Sequence, residues 1–152
     1  MKREAPEGAH RITIRVLYAD TDKMGVVYHA GYLRFCEAAR AELMRHVGLP
    51  YRELEATGRM LPVIEAHLRF VAPARYDEII EVAAWVEELS GASITFHYLI
   101  ERDHALLVEA TTRHTCLDRT NHVVRLPDEL RHLAKKKTVK PPARQGAGRE
   151  ES

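Results

Sequence analysis

Hydrophobic and polar side chains alternate along five stretches of the chain, which is the pattern of strands with one buried face. In residues 11–18 the apolar positions are Ile12, Ile14, Val16 and Tyr18, with polar residues between them. The same alternation predicts four further strands, at residues 61–70, 79–88, 93–101 and 105–118. The turn sequences that separate these four, residues 72–77, 90–92 and 102–104, suit antiparallel hairpins or meanders.

The hydrophobic period changes from two to that of a helix between the first and second strands. Five apolar residues recur there at spacings of four, three, four and four: Tyr32, Cys36, Ala39, Leu43 and Val47. Gly48 and Pro50 are stop signals, because glycine ends helices and proline cannot continue them. The pattern therefore predicts one long helix over residues 31–47, followed by a short connector over residues 51–60.

One long helix and five strands predict an α+β domain in which an antiparallel β-sheet wraps around one long central helix. Residues 123–126 can extend the sheet, and residues 127–130 have the sequence of a short terminal helix. A single helix covers only one face of the sheet. Where the other face carries apolar groups it needs a partner, so we expect a homo-oligomer.

Length and charge divide the chain into one domain and two terminal segments. The 152 residues suit an N-terminal extension at 1–10, a domain at 11–134 and a tail at 135–152. The tail has six basic and two acidic residues, and its Lys, Pro and Gly content predicts disorder. The other 134 residues carry 17 basic and 20 acidic side chains, so we expect no nucleic-acid partner.

Apolar stretches and cysteines constrain the compartment and the metal chemistry. No stretch approaches the ~20 apolar residues of a membrane span, and the N-terminus lacks the apolar core of a secretory signal. We therefore expect a cytoplasmic protein without a membrane span. Cys36 and Cys116 have no nearby cysteine partner, which predicts reduced, buried thiols rather than a disulfide or zinc site.

The loop over residues 20–30 is longer than a turn requires, and long loops in small domains are often functional. It holds Asp20, Asp22 and Gly25, and it leads through His29 into the predicted helix. The first turn of a helix offers unpaired N–H groups, which can stabilise an oxyanion beside a carboxylate. That combination is typical of acyl transfer. The alternative is that both aspartates only accept turn N–H bonds; a metal site is not expected, since further oxygen ligands are lacking.

The string RVLYADTDKMGVVYHAGYLRFCEAARAELM resembles the signature region of the 4-hydroxybenzoyl-CoA thioesterase family, especially its YbgC-type acyl-CoA thioesterase branch. PVIEAHLRFVAPARYDEIIEV, with its F-x-x-P-A-x-x-D core, is similar to the second and third strands of the same proteins. The resemblance spans residues 12–133. It implies the hotdog fold and hydrolysis of acyl-CoA thioesters, with no cofactor, since coenzyme A is part of the substrate.

The resemblance also implies roles for individual residues. The second aspartate of D-x-D is the family's catalytic carboxylate and falls on Asp22, while Asp20 orders the loop. The oxyanion donor is a backbone N–H at the helix start, at His29. The substrate-binding residues are then Gly25, Val26, Val27, Tyr28 and Tyr32, with Ser93 in the turn over residues 90–93 that supplies nucleotide contacts from a neighbouring chain. The basic residues that some relatives carry in this turn are missing from this chain, so the resemblance does not locate the phosphate contacts; Arg69, Arg75 and Arg113 are the candidates.

The expected reaction is hydrolysis of an acyl-CoA with a short aliphatic or an aromatic acyl group, Asp22 acting as nucleophile or as general base. Carrier-protein thioesters stay open as substrates, and the oligomer is a dimer or a dimer of dimers. One alternative is a hotdog dehydratase or hydratase that pairs His29 with Glu37. Another is an acyl-CoA-binding protein without catalysis, and release of free CoA distinguishes these classes.

Overall fold

A computed structural model of the protein describes residues 4–131 and contains the expected five-stranded antiparallel sheet and one long helix. The helices are α1 (Tyr32–His46) and α2 (Tyr51–Ala56). The strands are β1 (His10–Arg15), β2 (Val63–Phe70), β3 (Ile79–Ser90), β4 (Ser93–Arg102) and β5 (Ala105–Thr115). The predicted tail at residues 135–152 lies outside the described residues.

The strand order β1-β3-β4-β5-β2 differs from the predicted sequence of hairpins at one place. Strands β3, β4 and β5 are consecutive antiparallel neighbours, as expected, but β2 pairs with β5 and does not pair with β3. The prediction of a hairpin at residues 72–77 is therefore wrong. This segment crosses the end of the sheet, and its backbone bonds go elsewhere: Ala72 N–H to Leu107 O at 3.1 Å, and Asp77 N–H to Val16 O at 2.9 Å.

Several predicted bounds also shift. Strand β1 ends at Arg15 instead of residue 18, because the chain leaves the sheet for a 3-10 turn over Tyr18–Asp20. The connector over residues 51–60 contains the short helix α2, which the sequence pattern did not predict. Strand β5 ends at Thr115, and the expected strand at 123–126 is reduced to an isolated bridge between Val123 and Leu117. A terminal helix begins at residue 128, as predicted.

The core forms where the helical stripe of α1 meets the inner face of the sheet. Tyr32, Phe35, Cys36, Ala39 and Leu43 are buried in α1, and alternate residues of β4 are buried opposite them. Cys36 and Cys116 are buried and are not bonded to each other, which agrees with the predicted burial of both thiols. None of the helices within residues 4–131 is long and apolar enough to cross a membrane.

A directional chain of hydrogen bonds crosses this core. Arg40 donates to the Tyr98 hydroxyl at 3.1 Å, and Tyr98 contacts the Thr112 hydroxyl at 2.6 Å. His114 contacts Thr112 through Nε2 at 2.9 Å and the Leu61 carbonyl through Nδ1 at 2.9 Å. Burial lowers the pKa of His114 to about 4, so the ring is neutral and Nδ1 carries the proton that Leu61 accepts. The chain ties α1 to β4, β5 and the segment before β2.

The outer face of the sheet is partly covered within the same chain. Ala83, Trp85 and Leu99 form a small apolar cluster there, and Ala5 and Ala9 of the N-terminal extension pack against it. The rest of this face carries ion pairs, including Arg69–Glu109 at 2.9 Å and Arg113–Glu65 at 3.3 Å. Four exposed apolar side chains lie along the edge strand β2 and just beyond it, each 47–52% exposed: Val63, Ile64, Phe70 and Val71.

Candidate active site

The loop between β1 and α1 is held in shape by Asp20. Its carboxylate accepts the Leu17 N–H at 2.7 Å and forms an ion pair with Arg34 of α1. Its carbonyl accepts the Tyr28 N–H at 3.1 Å. The Asp20 side chain is only 8% exposed, and both of its carboxylate oxygens are engaged, one by Leu17 and the other by Arg34. These contacts support the loop-ordering role that the resemblance implies for Asp20.

Asp22 lies in a tight turn whose form depends on Gly25. The Asp22 N–H donates to Val26 O at 2.9 Å, and the Gly25 N–H donates to Asp22 O at 3.0 Å. Gly25 has a φ of +80°, a conformation that residues with a Cβ adopt at a cost. The Asp22 side chain is exposed, and its Oδ1 accepts the Met24 N–H at 2.8 Å. Among residues 4–131, Oδ2 accepts no hydrogen bond, so it is available to substrate or water.

Two backbone N–H groups are open where the loop enters α1. A 3-10 turn over His29–Gly31 precedes the helix, and the Gly31 N–H closes onto Tyr28 O at 2.7 Å. In the part of the chain that the structure describes, the N–H groups of His29 and Ala30 have no acceptor. Open donors at a helix start carry partial positive charge, which favours a developing oxyanion.

An apolar cleft of about 220 Å³ lies beside this turn. Val27, His29 and Tyr32 form one wall, and residues 70–73, at the end of β2 and just beyond it, form the other. Tyr32 holds the walls together, since its hydroxyl accepts the Ala74 N–H at 3.0 Å while Val27 N–H donates to Ala74 O at 2.9 Å. Burial raises the pKa of Tyr32, so the phenol stays neutral. The cleft is therefore shaped for an uncharged, apolar group.

The structure brings together only part of the predicted site within one chain. Val27, His29 and Tyr32 line the cleft, and Asp22 stands next to it because Thr21 and Val27 form an antiparallel bridge. Three other predicted residues do not line it. Gly25 shapes the turn, Val26 forms a bridge with Arg75, and Tyr28 is half exposed with its ring 4.4 Å from that of His29.

Ser93 lies far from the cleft in its own subunit. It begins β4 and pairs with Thr115, whereas the cleft borders Phe70, which pairs with Val108 at the opposite end of β5. About seven residues of strand separate these two ends, roughly 23 Å. A contact between Ser93 and a ligand in a cleft therefore requires a neighbouring chain, as the resemblance implies.

The sequence did not predict the residues that form the second wall of the cleft. Phe70, Val71, Ala72 and Pro73 belong to the F-x-x-P-A string, which supported the resemblance but received no site role. The sequence also placed Arg34 near the start of the predicted helix, but it did not predict the pairing of Arg34 with Asp20. Within residues 4–131 no group of three or more His, Cys, Asp or Glu side chains is arranged to hold a metal ion.

Comparisons with known proteins agree with this architecture. The family described as the thioesterase-like superfamily matches residues 16–133. The acyl-CoA thioester hydrolase YbgC of Escherichia coli O157:H7 is 36% identical over 109 residues, which cover 71% of this chain and 81% of the relative. A hypothetical protein from Thermus thermophilus is 42% identical with a TM-score of 0.79, covering 83% of this chain and 98% of that one. A 1,4-dihydroxy-2-naphthoyl-CoA thioesterase from Synechocystis is 25% identical with a TM-score of 0.79, covering 86% and 98%.

Proposed function

Because the chain belongs to the thioesterase-like superfamily and is a YbgC-type acyl-CoA thioesterase of the hotdog fold, we propose that Asp22 is its reacting carboxylate. The observation that carries this proposal is the position of Asp22 Oδ2, which accepts no bond from residues 4–131 and lies in the turn bridged to the cleft wall at Val27. Asp20, the neighbouring carboxylate, is already committed to Leu17 and Arg34.

In the proposed reaction the acyl group occupies the cleft and the thioester carbonyl faces the helix start. The open N–H groups of His29 and Ala30 stabilise the oxyanion. Asp22 either attacks the carbonyl, giving a mixed anhydride that water then hydrolyses, or removes a proton from the attacking water. In both routes the carbon–sulfur bond breaks, the CoA thiolate leaves and takes up a proton, and the free acid is released.

The variant Asp22→Asn tests this assignment without disturbing the turn. Asparagine keeps an oxygen that can accept the Met24 N–H but loses the charge, so we expect kcat to fall roughly 10²- to 10⁴-fold. The measurement is release of free CoA, detected with a thiol reagent, together with the unfolding temperature. Asp103→Asn is a matched control, because Asp103 is another exposed aspartate in a turn. Full activity of Asp22→Asn would rule out the assignment.

We further propose that the acyl group is a short aliphatic chain or a single aromatic ring. Its support is the small cleft volume of about 220 Å³ and the aromatic wall formed by Tyr32 and Phe70, whose ring centroids are 5.8 Å apart. A panel of butyryl-, benzoyl- and palmitoyl-CoA should give higher kcat/KM for the first two. A preference for palmitoyl-CoA would contradict the proposal. Thioesters of pantetheine and of acyl carrier protein, tested with the same acyl group, show which carrier of the acyl group the enzyme prefers.

The rival dehydratase chemistry has less support. It needs His29 to act with an acid on the helix, and Glu37 is an exposed residue of α1 that does not line the cleft. Hydration of an enoyl thioester without release of CoA would favour it. We expect release of CoA and no hydration product.

We also propose that the working form is a homodimer that pairs through β2. This strand is one of the two edges of the sheet, and its apolar side chains Val63 and Ile64 are 48% and 47% exposed. Exposed edges of this kind are templates for another strand. The cleft opens at the end of the same strand, beside Phe70 and Val71, so a partner at this edge also borders the site.

A further inference from the structure

The two walls of the cleft differ in how firmly their side chains are packed. Val27 and Tyr32, in the wall that precedes and begins α1, are buried members of the core. Phe70 and Val71, in the wall at the end of β2, are about half exposed. A change of side chain in the second wall therefore alters the cleft while the core keeps its packing.

The ring of Phe70 contacts the opposite wall. Its centroid lies 5.8 Å from that of Tyr32, within the range of aromatic pairs in contact, and the two rings are tilted by 53°. The Tyr32 ring is held in place, because its hydroxyl accepts the Ala74 N–H at 3.0 Å and its other neighbour is the buried ring of Phe35. The Phe70 ring therefore bounds the cleft on the side where the two walls meet.

The backbone that carries Phe70 is fixed to the neighbouring strand. Phe70 pairs with Val108 at the end of the β2–β5 ladder. Just beyond it, the N–H groups of Val71 and Ala72 both donate to Leu107 O, at 2.7 and 3.1 Å. The cleft therefore widens at this point only if hydrogen bonds break or if the side chain at position 70 becomes smaller.

The volume of the cleft makes one aromatic ring a large quantity. A cavity of about 150 Å³ in a protein core holds one benzene molecule. The cleft, at about 220 Å³, thus has room for one ring or a short chain and little more. Removal of the Phe70 ring adds a space of the same order, roughly 150 Å³. The ring therefore occupies the space that a longer acyl chain needs.

We propose that Phe70 is a specificity-determining residue, whose ring sets the upper limit on the size of the acyl group. The proposal rests on the proposed acyl-CoA hydrolysis and names the side chain that keeps the acyl site short. Phe70 takes no part in breaking the thioester. Its effect is steric: a long chain in the cleft meets the ring at the contact with Tyr32, and a smaller side chain at position 70 removes that obstacle.

The test measures the ratio of kcat/KM for octanoyl-CoA to kcat/KM for butyryl-CoA in Phe70→Leu and Phe70→Ala. One methylene group in an apolar pocket changes kcat/KM by roughly 10- to 200-fold. We therefore expect the ratio to rise at least ten-fold in Phe70→Ala and by a smaller factor in Phe70→Leu. A merely structural role would lower kcat/KM for both substrates equally, and an unchanged ratio in both variants would overturn the proposal.

Two controls separate cleft size from folding and assembly. Ile79→Ala removes a similarly exposed apolar side chain from β3, outside the cleft, and should leave the ratio as in the wild type. The unfolding temperature and the mass from light scattering are compared for every variant. Phe70→Leu keeps an apolar side chain at the β2 edge, so it decides the question even if Phe70→Ala loses its assembly.

A binding measurement tests the same limit without turnover. The thioethers S-butyl-CoA and S-octyl-CoA cannot be hydrolysed, and calorimetry gives their Kd. We expect S-octyl-CoA to bind Phe70→Ala at least ten-fold more tightly than it binds the wild type, with no such gain for S-butyl-CoA; equal gains, or none, would count against the proposal. If the wild type hydrolyses no acyl-CoA, the proposed function itself fails. If it hydrolyses butyryl-CoA and both variants keep its ratio, only the assignment of Phe70 fails.

Discussion

The two aspartates of the loop have different environments, although one residue separates them. Asp20 is buried and bonded to Leu17 and Arg34, whereas Asp22 is exposed and keeps one oxygen available. A carboxylate with filled hydrogen-bonding capacity stabilises structure, and one with an open oxygen can react. The D-x-D string therefore combines a structural residue and a catalytic candidate.

His114 gives a pH dependence of stability that can be measured. Its pKa is about 4 in the folded protein, because the ring is buried, against about 6.5 when unfolded. The unfolded chain therefore binds a proton first as the pH falls, so the free energy of unfolding decreases between about pH 6.5 and 4, by roughly 3 kcal/mol in total. Urea titrations at pH 7.5, 5.5 and 4.5 measure this.

The control for that experiment is His114→Gln, which has no proton to gain. Its free energy of unfolding should be lower at pH 7.5, since the bonds to Thr112 and Leu61 are weakened. The difference between wild type and variant should then shrink as the pH falls. A difference that is the same at every pH would contradict the neutral, buried state of His114.

At the level of elements, the site depends on three segments that meet at Ala74. The loop after β1 reaches it through Val27, helix α1 reaches it through Tyr32, and the crossing segment contains it. Ala74 is fully buried, so both of its backbone groups need partners. The cleft walls are therefore fixed relative to each other by backbone hydrogen bonds, and only the Tyr32 contact depends on a side chain.

The variant Tyr32→Phe should loosen this junction. It leaves the buried Ala74 N–H without an acceptor, which costs about 1–3 kcal/mol in the free energy of unfolding. We also expect a lower kcat/KM, because the two walls lose their link. Denaturant unfolding and steady-state kinetics measure the two effects. Phe35→Leu, a substitution of another buried α1 residue, should reduce stability with less effect on turnover; equal effects would argue against a special role for the Tyr32 hydroxyl.

At the level of the whole molecule, the sheet has two edges of different character. Strand β1 is one edge, and β2, at the other, leaves Val63, Ile64 and Phe70 about half exposed. The N-terminal extension covers part of the outer face at Trp85. The sequence predicted that a partner subunit would cover apolar groups on the outer face of the sheet. In the structure, the exposed apolar side chains that favour such a partner lie at the β2 edge.

The variant Ile64→Lys tests that edge. A lysine placed in a strand-to-strand interface has to be desolvated, so we expect a monomer and a large loss of kcat/KM for acyl-CoA. Light scattering coupled to gel filtration gives the mass. Ile79→Lys is the control, because Ile79 is similarly exposed but lies in β3. A dimeric, fully active Ile64→Lys protein would exclude pairing through β2.

The sequence by itself predicted the five strands, the long helix and the loop that holds the proposed reacting carboxylate. Alternation and helical spacing are local properties, so β3, β4 and α1 were predicted to within about two residues, and the D-x-D string marked the loop. Tertiary structure decided the rest. The pairing of β2 with β5, the contribution of residues 70–73 to the cleft and the contact between Phe70 and Tyr32 all depend on residues distant in sequence. No local pattern encodes such contacts, because a strand with one apolar face can pair with several neighbours, and the packing of the whole chain selects one.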